Sequence, residues 1–217
     1  MKSSFSPTRP SREALEDALI QRHTRPVYET LKHAHIGIAG LGGLGSNIAV
    51  MLTRLGIGSL TLADFDCVDL SNLNRQHYML THLGQQKTEA LAQQLYAINP
   101  YIQLELHSHR ITESNAADIF KECSIVCEAF DDPEAKAALV NTLLEAGQQT
   151  IIAASGLAGY GSANSIKTRR VMKRLYICGD NESDIADGLC LMAPRACLCA
   201  AHQANMALRL LLGLKEP

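Results

Sequence analysis

Three glycines constrain the fold of this chain more than any other feature. They are Gly40, Gly42 and Gly45, in 35-HIGIAGLGGLGSNIAVMLTRLG-56. The apolar run 35-HIGIAG-40 reads as a strand entering glycines, and 46-SNIAVMLTRLG-56 has helical apolar spacing stopped by Gly56. A G-x-G-x-x-G turn between strand and helix meets three needs at once: a tight turn, close backbone approach to phosphate, and a helix N-terminus with free N–H groups. A second strand, 59-SLTLAD-64, then places Asp64 about twenty residues on, where a nucleotide-binding βαβ unit holds ribose hydroxyls.

The rest of the chain keeps the alternation. KTEALAQQLYAIN predicts a helix ended by Pro100, and IQLELH a strand of period two. Thr112 caps the helix ESNAADIFKEC, and SIVCEAF is a strand. Asp132 with Pro133 opens a helix reaching about Ala146, with Gly147 just beyond, and TIIAAS is a further strand. Strands alternating with helices predict an α/β fold, a Rossmann-like, doubly wound, mostly parallel sheet. After about residue 155 the character changes. SANSIKTRR and RLYIC read as strands with no helix between them, an antiparallel extension, and a final helix runs from about Pro194 to Leu212. Residues 1–32 read as an N-terminal helical arm, with Ser11 capping SREALEDALIQRH and residues 1–10 expected to be mobile. Residues 33–217 read as one α/β nucleotide-binding domain.

At 217 residues, 47% hydrophobic and 19% charged, the chain has enough apolar residues for one sizeable core. A formal charge of −2 gives no reason to expect a nucleic-acid partner. The start carries no apolar run of the secretory kind, and no long uninterrupted apolar window exists to span a membrane. The chain is therefore expected in the cytoplasm, its seven cysteines free thiols in a reducing compartment. There is no CxxC, so no zinc is expected.

The fingerprint alone would suit NAD. The residues downstream argue for a triphosphate. Arg75 lies in the loop after the second strand, Lys87 at the start of the next helix, and Asp131 at the end of SIVCEAF. All fall on the C-terminal edge of the sheet, where ligands of open α/β sheets bind. Two cations can offset phosphate charge and a carboxylate can hold Mg²⁺; a nicotinamide needs neither.

The pattern GxGGLGSxxAxxLxRxGIGxLxLxDxDxVxxSNLNRQ, the lysine of GQQKTEA, Asp131 and the LMAPR element before AAHQANMALRLLLG together resemble the ThiF/MoeB/HesA family, relatives of the ubiquitin-activating enzymes. The resemblance runs from about residue 33 to 213 and is nearest to short ThiF-type members of thiamine biosynthesis. It implies ATP-dependent adenylation of the C-terminal glycine carboxylate of a ThiS-like, ubiquitin-fold sulfur carrier, by a homodimer. It also implies the site: Gly40, Gly42, Gly43, Gly45, Asp64, Asp66, Asn72, Arg75, Gln76, Lys87 and Asp131 around the nucleotide. Arg75, Lys87 and Asp131 would serve the chemistry, with Asp131 on Mg²⁺.

The chain departs from the family in places. Longer relatives carry two CxxC pairs, where this chain has only Cys178 near the first position. Many carry a reactive cysteine where this chain has SDIAD, leaving Cys178 and Cys190 as flanking thiols that read mainly as buried filler. Arg22 or Arg25 would be the arginine reaching a partner's ATP. The run 167-KTRRVMKR-174 could dock an acidic carrier or be a solvated strand pair, and GDNESDIADG could cover the carrier's tail or merely connect. Other readings are a molybdopterin-type carrier, a modified tRNA base, an NAD-dependent oxidoreductase, and a nucleotide-binding scaffold without catalysis.

Overall fold

The computed structural model describes residues 9–217; the reading of the first residues as mobile falls mostly outside that range. Seven strands form one sheet: β1 (His35–Ala39), β2 (Ser59–Ala63), β3 (Gln103–His107), β4 (Ile125–Glu128), β5 (Thr150–Ala154), β6 (Lys167–Met172) and β7 (Leu175–Gly179). Their order is β3-β2-β1-β4-β5-β7-β6. All neighbours are parallel except β6 with β7, so the sheet is doubly wound with one antiparallel pair, as the sequence predicts. The helices are α1 (Arg12–His23), α2 (Arg25–Lys32), α3 (Gly45–Leu55), α4 (Lys87–Ile98), α5 (Glu113–Ile119), α6 (Pro133–Ala146) and α7 (Ala193–Leu211).

Side-chain alternation on the central strands divides the core in two. Ile36 and Ile38 of β1, Leu60 and Leu62 of β2 and Ile152 of β5 pack with α3, α4 and α7 on one face. Val126, Ile151 and Ala153 pack with α5 and α6 on the other. Gly37, in mid-strand, is explained by this second face. A Cβ there would stand 2.5 Å from Cδ1 of Phe120, which is itself fully buried. The glycine is the space an aromatic ring occupies.

Helix ends follow local chemistry. Ser11 Oγ accepts from Ala14 N at 3.1 Å, and Asp132 Oδ1 from Glu134 N at 3.0 Å. Gly56 and Gly147 take left-handed conformations just past α3 and α6. The sequence reading missed α2. Its Pro26 lies in the first turn, and Thr24, at φ 73°, breaks it from α1. Leu31 of α2 is fully buried, and its carbonyl accepts from Gly58 N at 3.0 Å. The helix is thus fastened to the start of β2.

Candidate active site

The strand order reverses between β1 and β4, and a cleft of about 640 Å³ opens there at the C-terminal edge. Its glycine loop is shaped by close backbone approach. Gly40 sits at φ +89°, and a Cβ on it would lie 2.7 Å from the Ala129 carbonyl oxygen. A Cβ on Gly45 would collide with the carbonyl oxygen of Gly40. Gly45 therefore stands behind the loop, closing it, while Gly42 and Gly43 face the cleft.

Asp64 holds this loop from the side. Its Oδ2 accepts from Leu41 N at 2.6 Å and its Oδ1 from Asp66 N at 2.9 Å. Tyr78 donates to the Leu41 carbonyl at 2.9 Å, so both backbone polar groups of Leu41 are fixed. Burial raises the Asp64 carboxyl above its ordinary value; the Lys87 charge and the two backbone N–H donors oppose that. Lys87 opens α4 with its side chain 7% exposed, its Nζ 2.7 Å from Asp66 Oδ2 and 3.8 Å from Asp64 Oδ2. A carboxylate carries about four acceptor positions, so Asp64 can still receive ribose hydroxyls.

The SNLNRQ segment crosses above the glycines. Asn72 is placed apart from the other predicted residues: its Oδ1 accepts from Asp69 N at 3.1 Å, closing a short helical turn, and it does not line the cleft. Arg75 does line it. Its stem lies against Gly43, where a Cβ would stand 3.2 Å from Arg75 Cγ. The Asn47 side chain clamps the two stretches together, donating to the carbonyls of Gly43 at 2.8 Å and Arg75 at 3.1 Å. Ser46 Oγ accepts from His77 N at 3.0 Å, one residue beyond Gln76. The guanidinium donates to Asn74 Oδ1 at 2.8 Å and the Ser71 carbonyl at 3.3 Å. No carboxylate pairs with it among the described residues. Gln76 is buried at the wall, with an Oε1 that accepts no hydrogen bond.

Opposite, Asp131 follows β4, exposed at the cleft wall. Beneath it lies a pair the sequence did not announce. Glu128 is fully buried; its Oε2 lies 2.5 Å from Lys136 Nζ, which also donates to the Ala154 carbonyl at 3.0 Å. Burial raises the Glu128 carboxyl, and Lys136 opposes that. Arg110 was also missed; its guanidinium lies 4.3 Å from the centre of the Phe65 ring beside Asp64. Neither lysine nor arginine falls in a motif, and only the folded sheet brings them to the cleft.

The residues fit ATP with Mg²⁺. The glycine cradle leaves no room for side chains at Gly40 and Gly45. Gln76 offers an unused acceptor, and Arg75, Lys87, Arg110 and Lys136 supply positive charge around the cleft. Mg²⁺ needs only one or two carboxylates when phosphate oxygens complete its shell, and Asp131 at the cleft wall is the carboxylate that would hold it. Among the described residues no group of three or more His, Cys, Asp or Glu is arranged to hold a metal ion.

The remaining predicted features are placed as follows. Cys178 is fully buried, as read, and its thiol pushed up to about 11 by burial; Cys190 is not buried filler but exposed, on the loop before α7. Arg22 and Arg25 flank the α1–α2 turn, and α1 packs Leu19 towards Gly56, at the sheet edge opposite the cleft. Of the basic run, Arg169 donates to the Gly179 carbonyl, Arg170 pairs with Glu216, and Arg174 donates to the carbonyls of Gln149 and Leu144. The loop after β7 puts Ser183, Asp184 and Ile185 on the cleft wall.

Known proteins are similar to this chain in sequence or in fold. The ubiquitin-like modifier-activating enzyme 5 of Dictyostelium discoideum is 36% identical over 133 residues, 56% of this chain and 35% of that protein. The adenylyltransferase/sulfurtransferase MoeZ of Mycobacterium tuberculosis is 32% identical over 142 residues, 61% of this chain and 36% of that protein. The aligned stretch thus spans about a third of these relatives' length. In fold, the E. coli tRNA N6-threonylcarbamoyladenosine dehydratase TcdA, solved with ATP, superposes with a TM-score of 0.85 at 21% identity, covering 95% of this chain and 98% of that one. E. coli MccB, solved with AMPCPP and MccA, gives 0.67 at 26% identity, covering 88% of this chain and 60% of that one. The sequence profile of the ThiF family matches residues 16–217, nearly the whole chain, and the protein belongs to that family.

Proposed function

We propose that this protein is an adenylyltransferase that activates the C-terminal glycine carboxylate of a small ubiquitin-fold carrier with ATP, the finer assignment being a ThiS-like sulfur carrier of thiamine thiazole synthesis. The observation that carries the reading is Arg75: its backbone is clamped to the glycine loop by Asn47, its stem lies against Gly43, its guanidinium has no carboxylate partner among the described residues, and the cleft it lines also holds Lys87 and Asp131. The relatives named as modifier-activating enzyme and adenylyltransferase, and the AMPCPP in MccB, support it.

The chemistry asks little of acid–base groups. A carboxylate is already ionised at neutral pH, so it attacks the α-phosphorus without a general base. A carboxylate O–P bond forms, the bond to the β-phosphate oxygen breaks, and pyrophosphate leaves. The protein's work is alignment and stabilisation of growing negative charge. The Asp64-fastened loop presents its N–H groups to the phosphates, and Arg75 meets the charge with paired donors. Mg²⁺ at Asp131 would supply further charge compensation when bound.

ATP–pyrophosphate exchange with a panel of purified ubiquitin-fold carriers ending in Gly-Gly tests this, beside calorimetry with ATP–Mg²⁺ and with NAD. Exchange with one carrier and ATP binding are expected; NAD binding without ATP binding would overturn the reading. The formal charge of −2 weighs against a tRNA substrate. We also assign the active form as a homodimer, supported by exposed Leu70, Met79 and Leu80 beside the SNLNRQ turn. A monomer mass in light scattering at micromolar concentration would count against that. Seven unpaired thiols support a reducing compartment, the cytoplasm, and no helix among the described residues is long and apolar enough to cross a membrane.

A further inference from the structure

We infer that Arg195, acting through Asp180, is a positioning residue for the second substrate: it holds the cleft wall on which the carrier's carboxylate tail lies, and does not serve the nucleotide. The inference rests on the reading above for the identity of that substrate. Arg195 stands in the first turn of α7 with its side chain 5% exposed. Its Nη2 lies 2.5 Å from Asp180 Oδ2. Its Nη1 donates to the Ser162 carbonyl at 3.0 Å and its Nε reaches the Leu157 carbonyl at 3.4 Å. One guanidinium thus ties together the loop after β5, the loop after β7 and the start of α7.

Asp180 passes the constraint on. Its Oδ1 accepts from the backbone N–H groups of Glu182 and Ser183, each at 2.9 Å, and from Ser183 Oγ at 3.0 Å. Its own N–H donates to the Gly156 carbonyl at 2.9 Å. The approach is close enough to demand a glycine at 156 and is tight at Gly161. A Cβ on Gly156, at φ +75°, would collide with Asp180 Oδ1, and one on Gly161 would stand 3.2 Å from Arg195 Nη1. What the hub fixes is the side of the cleft formed by Gly156, Leu157, Ser183 and Asp184. The glycine loop and Arg75 are fastened mainly by Asn47, Ser46 and Tyr78, and Lys87 by Asp66; they touch the start of α7 through Asn74 on the Leu191 carbonyl at 3.3 Å and Cys197 on Asn47 at 3.6 Å, neither of which uses Arg195 or Asp180.

A buried ion pair is a poor way to gain stability, since desolvation offsets most of its attraction. Its use here is geometric: an arginine fork sets several acceptors at fixed angles. A nucleotide seated against the glycine loop leaves the opposite wall for the other reactant, which must reach the α-phosphorus from that side.

The test uses the full chain and the carrier that gives exchange with the wild type. Removing one charge strands the other, so the informative variant is Arg195→Met with Asp180→Asn, beside Arg195→Lys alone. In the double variant KM for the carrier should rise about 10- to 100-fold, as lost charged hydrogen bonds would give. The ATP dissociation constant and kcat should stay near wild type. Arg195→Lys should recover part of the loss. Hydrogen exchange at the Glu182 and Ser183 amides should quicken in the double variant. An unchanged KM, or ATP binding weakened as much as KM, overturns the inference. If the wild type binds ATP but exchanges pyrophosphate with no carrier, the proposed function falls. The amide exchange still judges the hub: quickened exchange supports a fixed wall, and unchanged exchange overturns it.

Discussion

Arg75→Ala should cut carrier-dependent ATP–pyrophosphate exchange about 100- to 1,000-fold, the usual cost of removing one preorganised donor to a developing oxyanion. The ATP dissociation constant should change far less. The glycine loop is held by Asp64 at 2.6 Å from Leu41 N and by Gly45 behind it, neither of which involves the arginine side chain. Lys87 is anchored separately on Asp66. The present partners of the Arg75 guanidinium, Asn74 Oδ1 and the Ser71 carbonyl, are neutral acceptors, so a more highly charged phosphate competes well for it. Steady-state exchange and calorimetry on the same protein separate the effects. Near wild-type exchange would make Arg75 a surface cation.

Lys136→Met should destabilise the fold by about 3–5 kcal/mol at neutral pH, the usual cost of leaving a buried charge without its partner. That is a large share of the about 5–15 kcal/mol that holds a domain together. Glu128 lies inside, its other oxygen already accepting from Phe130 N at 2.7 Å. The pH dependence follows from the direction of the shift. Burial raises the folded-state carboxyl above its ordinary 4.5, and loss of Lys136 removes the main opposing influence. A raised acid folds best when protonated, so its stability is fully present below the unfolded value and lost as pH rises through the folded one. The deficit of the variant should therefore shrink as pH falls from 7 towards 4.5. Urea unfolding across that range measures it, and adding Glu128→Gln should recover most of the loss at neutral pH. A deficit that ignores pH would show that packing, not charge, is what Lys136 provides.

The elements written in local chemistry were legible in the sequence. Glycines after strands, Gly56 and Gly147 after helices, the Ser11 and Asp132 caps and the Asp132–Pro133 helix start all depend on neighbours a few residues away. The placement of Gly40, Gly42, Gly43, Asp64, Arg75, Gln76, Lys87 and Asp131 around one cleft followed from strand–helix alternation, because that topology collects strand ends at one edge. Asn72 shows the limit: its side chain can cap a turn or face a ligand, and only the backbone of residues 69–72 decides. Glu128 with Lys136, and Asp180 with Arg195, were invisible for a different reason. Each pair joins separate elements, and even Arg195, the last residue of the LMAPR element, carries no sign in the sequence of its partner fifteen residues back. The short α2 was hidden by Pro26, which reads as a breaker until its place in a first turn is known.

The basic run 167–174 has a consequence for how copies of this protein treat one another. β6 ends the sheet, paired on one side only, with Val171 and Met172 both more than half exposed. A flat, apolar border strand of that kind would recruit strands from other chains and grow into aggregates. Here Lys167 and Arg169 place like charges along the border, Arg170 is occupied by Glu216, and the irregularity between Arg170 and Met172 bends it out of register. The arginines that also brace their own loops thereby keep the open side of the sheet from becoming a template.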